Sequence, residues 1–233
     1  MKDQRVAALI PCFDAAATVG AVVEGAREFV ETVVVVDDGS QDASAAVAEA
    51  AGAEVLRQSG NGGKGSALQR GFDHLAAGGV THAFTLDADG QHFPSEMPRL
   101  LEKSAQDPAT LFLGARRRDG VHDIAPVKRF GNDFADWWVS VAAKQKIYDS
   151  QSGFRIYPLV PLAGILAGQV AGRHFEFESE LLILAARCGV AIESVDIDVH
   201  YPPPEQRHSH YAPWLDTIRI IRMVVPFVFG QRR

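Results

Sequence analysis

The chain has 233 residues, 47% hydrophobic and 22% charged, which allows one large core in a single domain and excludes a disordered chain. A formal charge of −6 argues against a general nucleic-acid surface, so any basic site must be focal. The cysteines, Cys12 and Cys188, lie far apart and form no motif, so neither a disulfide framework nor a zinc site is supported.

Residues Met1 to Arg5 lead straight into a strand and carry no signal-peptide core, and with the unpaired cysteines this points to the cytoplasm. The first apolar run, Val6 to Ile10, ends in Pro11-Cys12-Phe13-Asp14, where Asp14 can cap a helix reaching about Val30. A second, Val33 to Val36, runs into Asp37-Asp38-Gly39-Ser40-Gln41-Asp42, and Ser40 or Asp42 can cap a helix through Ala51. After a short strand, Ala53 to Leu56, the segment Gly60-Asn61-Gly62-Gly63-Lys64-Gly65-Ser66 opens a helix carrying Leu68, Phe72 and Leu75. This is not a Walker loop, because Gly65 rather than Ser or Thr follows Lys64. Its glycines permit close backbone approach and Lys64 puts a cation near a helix N-terminus, where anions are favoured; a plain flexible loop is the alternative.

The run Ala83 to Leu86 delivers Asp87-Ala88-Asp89 at the mouth of a buried strand. A hard ion such as Mg²⁺ or Mn²⁺ takes few protein carboxylates and completes its sphere with water and phosphate oxygens, so the pair suggests a nucleotide diphosphate site. Taken alone, the acids read more readily as a polar turn capping the helix at Pro94. Three apolar strands each ending in acids and followed by a helical pattern follow βαβ logic, in which ligands collect at the carboxyl ends of the strands.

Downstream, Thr110 to Leu113 runs into Gly114-Ala115-Arg116-Arg117-Arg118-Asp119, and Arg116, nearest the strand end, is placed to enter the crevice. The segment up to Ala125 reads as a mobile loop, and the helix around Phe130 to Ala143 carries Trp137 and Trp138, which suit core packing better than an acceptor channel. Asp149 to Arg155 is polar, a helix lies near Val160, and Phe175 to Glu180 opens a helix to Arg187 whose glutamates suit its dipole. Ile192 to Tyr201 alternates like a strand with one buried face and stops at Pro202-Pro203-Pro204. The longest apolar stretch, Leu159 to Gly172, is interrupted by Gln169 and falls short of the roughly 20 residues a bilayer span needs. Trp214 to Phe229 is amphipathic with Arg219 and Arg222; it fits either a helix covering the core or one lying on anionic lipid, and Pro226 is expected to kink or end it.

Together, Ile10-Pro11-Cys12-Phe13-Asp14, Val35-Val36-Asp37-Asp38-Gly39-Ser40, Gly63-Lys64-Gly65, Leu86-Asp87-Ala88-Asp89-Gly90-Gln91-His92, Gly114-Ala115-Arg116 and Gln151-Ser152-Gly153-Phe154-Arg155 resemble the family-2 glycosyltransferases, in particular the dolichol-phosphate mannose synthase and polyprenyl-phosphate glycosyltransferase branch. The resemblance covers roughly residues 6 to 211. It implies an α/β type A glycosyltransferase (GT-A) fold with a mixed, mostly parallel sheet. Residues 1–213 would be one catalytic domain, with a nucleotide-sugar half at 1–116, an acceptor half at 117–213 and an amphipathic helix at 214–233. It further implies inverting transfer from a UDP- or GDP-sugar, a Mg²⁺ or Mn²⁺ ion, and a lipid-linked acceptor met peripherally at the inner face of a membrane.

By motif, the resemblance implies that Pro11 and Phe13 line the base pocket, Asp37 bonds the base or ribose, and Asp87, with Ala88 beside it, contacts the ribose or sugar side. Asp89 with Gln91 would hold the metal, Arg116 would meet phosphate, and Arg207 would close over the diphosphate. The sequence departs from the family's Arg-x-x-Gly-x-Ser-Lys at Arg207-His208-Ser209-His210-Tyr211, which leaves His208 or His210 as a metal ligand, a phosphate donor or a surface histidine. Lys64, Arg116 and Arg207 would stabilise charge on the departing diphosphate. If the acceptor is a hydroxyl, Asp149 or Glu178 would take its proton, Asp149 being favoured for its place before the Ser-Gly-Phe motif; an ionised lipid phosphate needs no base. A sugar-phosphate nucleotidyltransferase is disfavoured because its glycine-rich grip should follow the first strand directly; a non-catalytic nucleotide-sugar-binding protein is the third alternative.

Overall fold

The computed structural model describes residues 4–116, 126–200 and 222–230. Val6–Cys12 (β1), Thr32–Asp37 (β2), Glu54–Arg57 (β3), His82–Thr85 (β4), Leu111–Arg116 (β5), Arg155–Pro158 (β6) and Ile192–Ile197 (β7) form one sheet in the order β3-β2-β1-β4-β6-β5-β7. All pairings are parallel except those of β6, which runs antiparallel between β4 and β5. The β-branched run Val33–Val36 is buried on both faces, as a central parallel strand requires.

Side chains alternate strictly across the sheet. Ala7, Leu9, Val34 and Val36 face a layer made of Lys64–Ala77 (α3), Pro126–Ala143 (α5), Leu159–Leu166 (α6) and Glu176–Arg187 (α7). Ala8, Ile10, Val33 and Val35 face Val19–Arg27 (α1), Ser44–Ala50 (α2) and Met97–Gln106 (α4). On α3, Leu68, Phe72 and Leu75 recur at the helical interval and are buried, each such side chain contributing about 1.5–3 kcal/mol.

Several local expectations change. Helix α1 begins after Thr18, not Asp14; Asp14 adopts φ +47° and accepts the backbone N–H of Gln41, so its carboxylate ties two loops together instead of capping a helix. Helix α2 begins after Ala43, with Asp42 accepting the Ser44 N–H at 2.9 Å. β6 was not expected, because a four-residue strand holding an arginine and ending in proline lacks an apolar signature. β7 ends at Ile197, and Val199 then forms an isolated antiparallel bridge with His92. Trp138 packs against the core while Trp137 stays 56% exposed. Helix 222–228 runs through Pro226, with Val224 and Phe227 in the core and Phe229 exposed. Arg187 fastens it, donating to the Phe227 carbonyl at 2.7 Å. Among the described residues no helix is long and apolar enough to cross a membrane.

Candidate functional site

Because β6 is the reversed strand, the C-terminal ends of β1, β2, β4 and β5 and the N-terminal end of β6 share one edge of the sheet. Sequence neighbours diverge between β1 and β4, and Thr18 Oγ1 bridges the two loops by donating to the Ala88 carbonyl at 2.6 Å. This is the switch-point crevice where α/β sheets bind ligands.

On the β1–β2 side, Pro11 is buried and Phe13 half-buried. Asp37 accepts the Ser40 N–H at 3.1 Å. Asp38 performs a role the sequence did not disclose: its carboxylate accepts the N–H groups of Gly62 and Gly63, each at 2.8 Å, and the side-chain amide of Gln58. It thereby shapes the glycine loop that delivers Lys64. Gly63 has φ +92°, and a Cβ there would lie 2.3 Å from His174 Nδ1, so this position requires glycine. Gly65 lets α3 meet the segment before α7, where Ser66 N–H donates to the Arg173 carbonyl. Glu176 and Glu180 hold that segment through the N–H groups of residues 171–174.

At the centre, Lys64 Nζ bridges Asp87 Oδ1 at 2.7 Å and Glu178 Oε2 at 2.6 Å. Burial alone would lower the ammonium pKa, but the two carboxylates outweigh it and hold Lys64 above its ordinary range. Burial likewise pushes Asp87 up, and the charge of Lys64 with that of Arg155 brings its pKa below the ordinary value. Glu178 Oε1 is buried without a hydrogen-bond partner. Gly153 sits so close that a Cβ there would lie 2.5 Å from Asp87 Oδ2.

Asp89 lies in the same crevice and accepts the Gln91 N–H at 3.0 Å. Burial, reinforced by Asp87, pushes its carboxyl up to about 6. A carboxylate held up by burial and a like charge is relieved by a cation. The oxygen donors of Asp89 and Gln91 suit a hard divalent ion that takes its remaining ligands from water and phosphate. Among the described residues no cluster of three or more His, Cys, Asp or Glu could form an all-protein cage.

Arg116, at the end of β5, is bidentate to Asp149: Nε donates to Oδ2 at 2.7 Å and one Nη to Oδ1 at 2.5 Å, while its backbone N–H also donates to Oδ2. Asp149 is 2% exposed, has φ +56°, and donates its own N–H to Asp136 of α5, whose carboxylate also receives Ser150. The residue favoured as a base is thus an aligning partner of Arg116, an arrangement invisible across 33 residues of sequence. Fully buried Arg155 donates to the carbonyls of Ser150, Ser152 and Glu178 and to the Tyr157 hydroxyl, clamping the β6 entrance onto α7. His92 is 7% exposed, stacked on Phe154, and burial holds its pKa down to about 4, so it is neutral.

Pro11, Phe13, Asp37, Lys64, Asp87, Ala88, Asp89, Gln91, Arg116, Asp149 and Glu178 all lie on elements that reach this edge. Arg207, His208 and His210 lie outside the described residues. Asp38, His92, Asp136, Arg155 and Glu180 were missed as site-supporting groups. Asp38, His92 and Arg155 each stand inside a quoted motif; Asp136 and Glu180 act through tertiary contacts that no motif carries.

Residues 7–154 match the model of the family described as Glycosyl transferase family 2. The undecaprenyl-phosphate mannosyltransferase of Micrococcus luteus is 29% identical over 202 residues, covering 83% of this chain and 82% of that protein. The UDP-N-acetylglucosamine–dolichyl-phosphate N-acetylglucosaminyltransferase of Methanococcus voltae is 24% identical over 221 residues, covering 86% and 88%. Among solved structures, glucosyl-3-phosphoglycerate synthase of Mycobacterium tuberculosis, crystallised with Mn²⁺, UDP and glucosyl-3-phosphoglycerate, superposes with a TM-score of 0.71 at 20% identity, covering 98% of this chain and 80% of that one.

Proposed function

The chain belongs to glycosyl transferase family 2, and from that premise we propose that it moves a sugar, with inversion, from a nucleotide-diphosphate sugar to a polyprenyl phosphate at a membrane surface. The observation that carries this reading is the meeting of Asp87, Asp89, Lys64 and Arg116 at one sheet edge, with Asp89 suited to a hard cation and Asp87 held by Lys64. The polyprenyl-phosphate acceptors named for the relatives and the Mn²⁺ and UDP named for the structural neighbour support the acceptor and donor classes.

Asp89 and Gln91 would hold Mg²⁺ or Mn²⁺, which when bound supplies positive charge against the diphosphate as the glycosidic bond breaks. Pro11, Phe13 and Asp37 would hold the nucleoside, and Asp87, with Ala88 beside it, the ribose or sugar side. Lys64 keeps Asp87 ionised and oriented; with its charge already matched by two carboxylates, it serves the acids more than the phosphates. Arg116, aligned by Asp149, faces the phosphates, and Arg207 would close over them. A lipid phosphate arrives ionised, so the transfer needs no general base, which agrees with Asp149 having both oxygens engaged by Arg116. Residues 1–116 would serve the donor and 117–213 the acceptor, placing the protein peripherally at the inner membrane face.

The test begins with thermal shifts for UDP, GDP and TDP, each with Mn²⁺, and proceeds to transfer onto undecaprenyl phosphate from the matching nucleotide sugars. Transfer that stops with a chelator and with Asp89→Ala supports the assignment. Undiminished transfer by folded Asp89→Ala overturns it.

A further inference from the structure

Five of the hydrogen-bonding atoms buried among the described side chains have no hydrogen-bond partner, and two of them, Glu178 Oε1 and His92 Nδ1, belong to residues flanking the Asp87–Lys64 pair. The imidazole is the more informative, because its surroundings fix which nitrogen carries the proton. The loop bearing it is held from outside: Val199 bridges His92, and the His200 N–H donates to the Gln91 carbonyl at 2.8 Å. The ring stacks on Phe154 with centroids 5.4 Å apart. Nε2 lies 3.4 Å from Ser152 Oγ, and that oxygen accepts the Phe154 N–H, also at 3.4 Å. Ser152 is buried, its oxygen already accepts from Phe154, and among the described contacts Nε2 is the acceptor available to its hydroxyl proton, so the hydroxyl is satisfied when Nε2 is the bare nitrogen. That arrangement puts the ring proton on Nδ1, which lies 3.9 Å from Asp87 Oδ2 and has no hydrogen-bond partner.

We propose that His92 is a positioning residue for Asp87, whose Oδ2 receives the Nδ1–H when a nucleotide sugar binds, fixing the carboxylate from the side opposite Lys64. Closing about 1 Å is a small turn of a carboxylate anchored at Oδ1 alone, and it supplies the bond that the buried N–H lacks. The chain of donors then runs from the Phe154 N–H through Ser152 and His92 to Asp87, linking the entrance of β6 to the donor side of the crevice. The inference rests on reading the crevice as a nucleotide-sugar site.

The test has two arms. In the full chain labelled with ¹⁵N-histidine, NMR reads the tautomer directly. His82 is an internal contrast, because its Nε2 lies 2.9 Å from the Pro108 carbonyl and carries the proton. His92 is expected to show the opposite pattern, protonated at Nδ1, and a proton on Nε2 overturns the proposal. The second arm measures UDP-glucose and GDP-mannose binding with Mn²⁺ for the wild type, His92→Leu, His92→Asn and His92→Gln. Asn places an amide nitrogen near Nδ1 and Gln places one near Nε2. Losing a hydrogen bond to a charged group predicts roughly 10-fold weaker binding for His92→Leu and His92→Gln, with His92→Asn within a few-fold of wild type. A purely structural role would lower melting temperature without this Asn-over-Gln order. Wild-type affinity in folded His92→Leu, or rescue by Gln and not Asn, overturns the proposal. Failure of the wild type to bind either sugar nucleotide overturns the site reading itself, and the inference with it.

Discussion

Gly153→Ala is the sharpest test of how the crevice is built, because it adds one methyl group against one carboxylate. A Cβ at 153 would lie 2.5 Å from Asp87 Oδ2, 2.6 Å from Oδ1 and 2.8 Å from Cγ, where ordinary contact begins at 3.4 Å. The glycine cannot retreat freely: its carbonyl accepts the Thr85 hydroxyl at 2.8 Å and the next strand is fully buried. The carboxylate must instead move by close to 1 Å, which pulls Oδ1 away from Lys64. Overpacking of this kind costs about 1–3 kcal/mol, and a displacement of about 1 Å in a binding group can cost on the order of 10²-fold in rate. For a domain of this size each kcal/mol lowers the melting temperature by about 2–4 °C. Differential scanning fluorimetry and donor-dependent kinetics should therefore show a modest thermal loss and a much larger fall in kcat/KM. Gly164→Ala is the control: nothing lies within 4 Å of its Cβ, and in the interior of α6 alanine should stabilise by about 0.5–1 kcal/mol with activity unchanged. Wild-type kcat/KM in Gly153→Ala would show that Asp87 has room to move and refute the reasoning.

Asp89→Asn should stabilise the metal-free protein while abolishing the Mn²⁺-dependent nucleotide shift. The folded-state pKa of Asp89 lies near 6 against 3.8 for the free side chain, so the native state holds its proton longer and stability falls as pH rises between those values. The difference, of order 2–3 kcal/mol at neutral pH, should vanish near pH 3, and thermal melts across pH check both ends. Lys64→Met leaves Asp87 and Glu178 facing each other without their cation; a loss of about 3–5 kcal/mol in urea unfolding is expected, larger than for the conservative Lys64→Arg. At the C-terminal helix, Phe227→Ala should cost about 3–5 kcal/mol as a core truncation, whereas Phe229→Ser should leave stability within about 0.5 kcal/mol and weaken flotation with anionic liposomes; equal flotation removes this helix from the membrane reading.

The parallel part of the fold was legible because runs such as Val33–Val36 are apolar on both faces and end abruptly in acids, which fixes both the strands and the edge they share. The same logic put Asp87, Asp89 and Arg116 at that edge, while Lys64 was read from the glycine loop that opens α3. Partnership was not legible. Asp149 looked like a base because a lone acid before a polar motif carries no sign of the arginine that grips it from β5. β6 was missed for a related reason: Arg155 reads as a surface residue until three carbonyls and a hydroxyl are seen to surround it. The caps at Asp14 and Ser40 failed because their side chains bond across loops, where tertiary contacts override local preference.

The reversed strand also decides how the molecule can be assembled. β4 and β5 carry the acids and the arginine, yet they never touch; β6, made about 40 residues after β5, is the strip that joins them. A nascent chain released as far as residue 116 would present β4 as a bare edge and β5 with no neighbour, the condition under which strands pair with the wrong partner. Residues 1–116, the proposed donor half, are therefore not a folding unit by themselves. The crevice comes into existence only when the second half of the chain threads its strand back into the seam.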